Sequence, residues 1–487
     1  EFRKAGQNGV HLHSLISSPA LRSTEPPESR YFDLSVDLET AITGDPDGFI
    51  LLRVNTGRYY NVAGYPEDER VQFVTTRQSY NPMVSIASDT WLDDAKAMLR
   101  DMVRYIRSHE LYSKHVIGYH LECGEWFQYM FRENGLDISP ANTRKFREWL
   151  TAKYKSDSAL RNAWGDAGAS LATVTVPADL PGNLSFVSET RTLLLQKSDR
   201  RFIDYLDYIS DLVAGRIAAL AEAIKQECNR ENIVIAFYGY LFELADPQSG
   251  HFSLNRLLAD RNLDGFASPE TYLDRNFHEL YPQKAPGSTG AYMAPVDSIQ
   301  RAGKLWFTEA DNRTFLNTTG SPTEHDTYLV PIETVEQVVE VCKRDVGSVM
   351  LRGAAVWFMD LWSVGWYDHP AIWEANGRLN QLYLAYDRTR TVPRFDAAFV
   401  VDEKSQSLVA QPTDSAWHFL SYQRYDMYRS GTSFGLFTQK DLEEGRIPDA
   451  KVVFLLNPFR LSADQAAKIR AAAEKDGKTL VFSYGFG

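Results

Sequence analysis

What this chain of 487 residues lacks narrows it considerably. It has three cysteines, Cys123, Cys228 and Cys342, scattered singly with no CxxC pair and no Cys/His cluster. That excludes a cysteine-built zinc site and a disulfide framework. No run of about 18 apolar residues is present, so no membrane span is expected. Nor does the first stretch, EFRKAGQNGV, hold the apolar core of a signal peptide. The sequence assigns no compartment. No surplus of positive charge exists: 52 Lys and Arg against 64 Asp and Glu give a net charge of −12, which argues against a nucleic-acid partner. No GxGxxG or GxxxxGK[ST] motif follows any apolar run, which removes the common nucleotide-binding sheets. His115, His251, His325 and His369 show no metal-ligand spacing and read as surface or capping residues. No metal site is expected.

What is present is ordinary in bulk and patterned in detail. Apolar residues make up 44% and charged residues 24%, as in globular proteins. The length predicts more than one domain. Aromatics reach 13%, which fits either a large core or a cleft where flat rings stack on the C–H faces of sugars. Strand-like runs fall at 10–15, 50–54, 116–121, 233–238, 265–269, 305–309 and 355–360. Helical stripes separate them. One comprises Leu92, Ala95, Leu99, Met102, Val103 and Ile106, and a second runs from Phe202 to Ile224. A third helix opens with Ser139 as N-cap and Pro140 at the first position.

Strand–helix alternation implies a parallel sheet with helices outside it. Seven strands over this length predict an α/β fold of the (β/α)8 TIM-barrel type over residues 1–392, the first strand expected before residue 1. An open doubly wound sheet is the alternative. From residue 393 to 487 the pattern restarts with strands at 395–401, 451–456 and 479–483. Ser462 caps a helix ending near Gly477. This predicts a second α/β domain with a parallel sheet, incomplete at its C-terminus.

Barrel enzymes place their chemistry at the C-terminal ends of the strands. There the sequence puts Arg53, His120, Glu122, Glu125, Glu270, Tyr272, Glu309, Asp311, Arg313, Trp357, Asp360 and Trp362. Two carboxylates across a barrel mouth suit glycosidic cleavage, one protonated as acid and the other ionised as nucleophile. Glu125 is flanked by Trp126 and Phe127, which would desolvate it. Arg53 and Arg313 are the cations available to Glu309. Each feature also has a plainer reading: Arg53 as a salt bridge in the barrel, Asp311 and Arg313 as a loop brace, Tyr272 as a wall tyrosine. Of Trp357 and Phe358, alternation sends one toward the helices.

The segment VIGYHLECGEW resembles the fourth-strand segment of family 42 glycoside hydrolases, the β-galactosidases, which typically read IGWQIDNE. The following FREWLTAKYKSDSALRNAWGD resembles that family's FxxWLxxKY…LNxAWG stretch. LWFTEADNRTF resembles the seventh-strand segment carrying the nucleophile, and DPDGFILLRVN the approach to strand three. The resemblance covers most of residues 8–390. Residues from 393 on resemble the amidotransferase-like trimerisation domain of the same enzymes. It implies a retaining, exo-acting β-glycosidase, galactosides first, with Glu125 as acid/base and Glu309 as nucleophile. Arg53, His120, Glu122, Trp126, Tyr272, Asp311, Arg313, Trp357 and Trp362 would line the sugar site. A carbohydrate substrate, no cofactor and a homo-trimer are implied.

The pattern departs at one place. The asparagine that normally precedes the acid/base is missing, and Cys123 occupies its column. Glu122 then stands in the Asp column and Gly124 in that of the glutamate; one inserted residue assigns Glu125 to the acid/base role, and Glu122 is the alternative. His120 stands where the family has Gln. Three function classes follow: a retaining glycosidase; an inverting glycosidase or transglycosylase on the same barrel; a catalytically silent carbohydrate-binding protein.

Overall fold

The computed structural model describes residues 12–56, 62–73, 83–121, 136–179, 193–243, 249–271, 289–316, 332–360, 364–387, 393–409, 417–447 and 449–485. Seven strands run in chain order: β1 (Leu12–Ser17), β2 (Phe49–Val54), β3 (Val116–Leu121), β4 (Ile233–Phe237), β5 (Gly265–Pro269), β6 (Leu305–Ala310) and β7 (Ala355–Phe358). They form one sheet in the order β1-β2-β3-β4-β5-β6-β7, each neighbour parallel to the last. This is the TIM-type barrel that the alternation predicts, nearly closed, with every strand's C-terminal end on one face. All seven expected strands lie within two residues of their expected starts.

Alternation divides each strand between two cores. Ile50, Leu52, Val54, Tyr119, Leu121, Val234, Ala236, Phe266 and Trp306 face outward and are buried with the helices. There they meet Leu99, Met102 and Val103 of the helix Asp89–Ser108, and Val213, Ile217, Leu220 and Ile224 of the 28-residue helix Arg200–Glu227. Each such side chain stabilises by about 1.5–3 kcal/mol. The inward set is a separate cluster of Leu51, Ile235, Phe237, Ala267 and Phe307, with Trp357 against it. Gly118 and Gly265 belong to the inward parity at the barrel floor. A Cβ there would lie 2.7 Å from the carbonyl oxygen of Ile233 or of Leu305 respectively. The strands pack too closely at that level for any side chain.

Ser139 caps the helix Pro140–Tyr154 as expected, its hydroxyl accepting from the Asn142 N–H. Two of the histidines are not the surface or capping residues expected of them. His251 is completely buried, and His115 is nearly so, with Nδ1 2.8 Å from the Gly48 carbonyl. Both are ring systems that the interior uses for packing and one hydrogen bond each. His369 does cap, accepting from Ala371 N–H at 3.2 Å, and His325 lies outside the described residues. Cys228 and Cys342 are buried free thiols. Among the described residues no helix is long and apolar enough to cross a membrane, and no cluster of three or more His, Cys, Asp or Glu offers a metal site.

A second parallel sheet follows: β8 (Ala397–Val401), β9 (Phe434–Thr438), β10 (Val452–Leu455) and β11 (Thr479–Phe482), in the order β11-β10-β8-β9. The sequence pattern showed three of these strands. The helix Ala463–Asp476 has the expected Ser462 cap and ends at Gly477 in the left-handed region. The order in which strands are added reverses beside β8, and the crevice at the strand ends there is where open α/β sheets bind ligands. Here the chain's own side chains occupy it. Asn457 exchanges hydrogen bonds with the Asp402 backbone (2.8 and 3.0 Å), and buried Glu403 accepts the Asn255 N–H of the barrel at 3.0 Å.

Polar bonds hold this unit to the barrel. Asp207 accepts from Ser407 (2.8 Å) and Arg460 (2.9 Å), and Asp211 faces Lys404 at 3.3 Å. Asp297 accepts the Leu436 N–H at 2.7 Å.

Candidate active site

Four of the side chains singled out by sequence meet at the barrel mouth. Alternation points Arg53 (β2), His120 (β3), Glu309 (β6) and Trp357 (β7) inward, near the C-terminal ends of their strands. Phe237, the last residue of β4, joins them. Arg53 Nη1 donates to Glu309 Oε2 at 2.9 Å, with side chains only 3% and 9% exposed. The guanidinium lies 4.9 Å from the Phe237 ring centre and 5.9 Å from that of Trp357, and Nη1 also reaches the Met359 sulfur at 3.6 Å. An arginine held between ring faces is a cation whose hydration has been replaced by π-density and one carboxylate.

His120 completes the cluster. Its ring centre is 4.3 Å from that of Phe237 and 5.8 Å from that of Trp357, edge-on to the indole. Burial, with Arg53 nearby as a second cause, pushes its pKa well below the ordinary imidazole value, so the ring is neutral at physiological pH. Neither ring nitrogen has a hydrogen-bond partner among the described residues, and the same holds for Arg53 Nε and Trp357 Nε1. Buried polar atoms without partners are costly. Here they belong to one cluster with the Arg53–Glu309 pair. They offer N–H donors and one imidazole acceptor, a set that matches hydroxyl groups, which both give and take hydrogen bonds.

The other candidates are placed differently. Trp357 is the inward aromatic, while Phe358 packs outward, 5.3 Å from the Tyr367 ring. Asp360 receives the N–H groups of Val364 and Gly365. Arg313 lies over the Trp366 ring at 5.6 Å, and Asp311 is half-buried on the same segment. Glu270 is buried beside Asn312 (3.3 Å) and Arg344 (3.1 Å), a brace between the ends of β5 and β6. Glu122, Glu125, Trp126, Tyr272 and Trp362 lie outside the described residues. Sequence reasoning passed over Phe237, although its parity with Ile235 marks it as inward. It also passed over Met359, which no pattern flags.

His251 supports the wall next to this cluster. Its ring stacks on Tyr240 (4.5 Å, 19°) and Tyr238 (5.0 Å), and its Nδ1 accepts the Gly239 N–H at 3.0 Å. Tyr240 in turn packs with Phe237, Met293 and Phe307 inside the barrel.

Comparison with solved structures aligns essentially the whole chain with barrel enzymes. The β-galactosidase of the psychrophilic Marinomonas ef1 superposes with a TM-score of 0.69 at 14% identity, covering 99% of this chain and 72% of that one. The fold is theirs. The β-galactosidase of Bacillus circulans sp. alkalophilus gives 0.67 at 15% identity (100% and 68% covered). The family 42 exo-carrageenase of Bacteroides ovatus gives 0.60 at 12% identity (97% and 62% covered). No protein-family model matches the sequence, and no curated protein matches it significantly.

Proposed function

We propose that the protein is a glycoside hydrolase that removes terminal β-linked sugars with retention of configuration, β-galactosides first. The observation that carries this reading is the buried Arg53–Glu309 pair at the C-terminal mouth of the barrel, ringed by aromatic faces and unpartnered polar atoms. The shared fold with β-galactosidases supports it.

In this reading Glu309 is the nucleophile. Its carboxylate attacks the anomeric carbon while the aglycone oxygen departs with a proton from Glu125, Glu122 being the other candidate. A water then gives its proton back to the same acid/base and its oxygen to the anomeric carbon, releasing Glu309. Arg53 keeps the attacking oxygens charged and oriented. Trp357 and Phe237 take the apolar face of the ring, and neutral His120 accepts from or donates to a sugar hydroxyl. The barrel and the unit from residue 393 act together as one protomer of a homo-trimer.

A panel of nitrophenyl β-glycosides tests the proposal. Turnover is expected first with the galactoside, and Glu309→Gln lowers kcat by about three orders of magnitude or more. Release of the α-anomer as first product, followed by NMR, contradicts retention. Unchanged turnover by Glu309→Gln removes Glu309 from the mechanism.

A further inference from the structure

A completely buried arginine of the second unit reaches the C-terminal face of the barrel. Arg424 sits in the helix Tyr422–Arg429 and has no exposed surface. Its Nη2 donates to Glu243 Oε2 at 2.6 Å and to Thr271 Oγ1 at 3.0 Å, and its Nη1 donates to the Tyr292 carbonyl at 2.8 Å. The Thr271 hydroxyl donates in turn to Glu243. A few residues earlier, Ser421 donates to the Phe242 carbonyl. One guanidinium therefore ties together the segment after β4, the segment after β5 and the stretch around Tyr292.

Those segments bear directly on the candidate nucleophile. The Glu270 N–H, one residue before Thr271, donates to the Glu309 carbonyl at 3.1 Å, and Pro269 is the β-ladder partner of Glu309. Tyr292 bridges to Glu270, and Thr271 N–H donates to Ala291 at 3.0 Å. Met293, next in the chain, packs on Phe307, two residues before Glu309. One path from Arg424 to the backbone of Glu309 thus passes through Thr271 and Glu270, and a second through Tyr292 and Glu270. A planar fork with several donors holds such a junction in one geometry, which a lysine cannot do.

We infer that Arg424 is a positioning residue: the second unit sets, through it, the Glu270–Thr271 segment against which the backbone of Glu309 is held. Calling that face catalytic rests on the glycosidase reading; the clamp itself does not. The arrangement makes the second unit part of the apparatus around Glu309, beyond any role in assembly.

Three variants of the full chain test it. Thr271→Val removes one arm of the clamp while leaving Arg424 on Glu243. Thr271→Ser keeps the hydroxyl. Arg424→Lys keeps the charge without the fork. Hydrogen–deuterium exchange at the Glu270 amide is expected to be faster by about 10-fold or more in Thr271→Val and Arg424→Lys, the scale of one lost charge-assisted bond, and near wild type in Thr271→Ser. With the nitrophenyl galactoside, kcat falls by about 10-fold or more in the first two variants while KM holds, and Thr271→Ser restores it. Unchanged exchange at Glu270 overturns the clamp. Faster exchange with an unchanged kcat overturns the positioning role. If the wild type turns over no glycoside, the glycosidase reading fails, and the exchange measurement still decides whether Arg424 holds this segment.

Discussion

Replacing Arg53 by Met should reveal how strongly the barrel mouth depends on its ion pair. The two charged atoms are 2.9 Å apart and the side chains are 3% and 9% exposed. At an effective dielectric constant of about 20, the attraction across that distance is about 6 kcal/mol. Desolvation of the two ions offsets part of it. Removing the arginine alone takes its cation from a buried carboxylate, a loss of about 3–5 kcal/mol. Met refills the volume, so little of that loss comes from a cavity. Removing both charges, as in Arg53→Met with Glu309→Gln, leaves a neutral amide in place of the stranded ion. The double variant should therefore recover about 2 kcal/mol or more relative to the sum of the single variants. Urea unfolding of the wild type, both single variants and the double variant measures this coupling. Strict additivity, or an unfolding midpoint unmoved by Arg53→Met, would show that the pair contributes nothing and would refute the argument.

Acid should weaken the protein through His251, whose pKa burial pulls down to about 3 from the ordinary 6.5. The folded form binds its proton far less readily than the unfolded form. The contribution is therefore complete above pH 6.5 and is lost as pH falls toward 3, amounting to about 2 kcal/mol between pH 7.5 and pH 5. His251→Asn, whose amide oxygen can still accept the Gly239 N–H, should lose correspondingly less stability over that interval in urea titrations at the two pH values; an identical loss in both proteins contradicts the assignment. At the barrel floor, Gly118→Ala would set a methyl 2.7 Å from the Ile233 carbonyl oxygen. It should cost about 1–3 kcal/mol by the same measurement, and a neutral substitution would mean that the strands there can part.

The barrel was legible because its two periodicities are strong: helices such as Asp89–Ser108 carry one apolar stripe, and the strands of the barrel core are bounded by turn residues. The same rule of alternation required one of Trp357 and Phe358 to face the helices without saying which; the structure sends Phe358 outward and keeps Trp357 with Arg53, His120 and Glu309. Alternation did not reveal β9. Its residues, FGLFT, are a short apolar run that periodicity alone does not separate from a helix segment. The buried roles of His115 and His251 were also hidden, because a histidine's burial depends on which backbone group meets its ring nitrogen. Arg424 lay furthest from view. It lies among polar neighbours in YQRYDMYR and has the look of a solvated helix residue. Only the docking of two sheets, from stretches some 130 to 180 positions apart, turns it inward.

The junction between the two units carries matched charges beside its apolar packing, for Phe399, Leu408 and Leu436 share one buried cluster with the barrel's helices. The barrel's Asp207, Asp211 and Glu243 each find a cation on the far side, in Arg460, Lys404 and Arg424. A barrel severed from its neighbour would keep those acids and lose these three cations, in a chain already carrying a net charge of −12. Exchanging the second unit with that of a distant homologue would meet the same obstacle unless the three matching cations travelled with it. The seam therefore acts as a lock on ancestry: its halves can drift in sequence only in step.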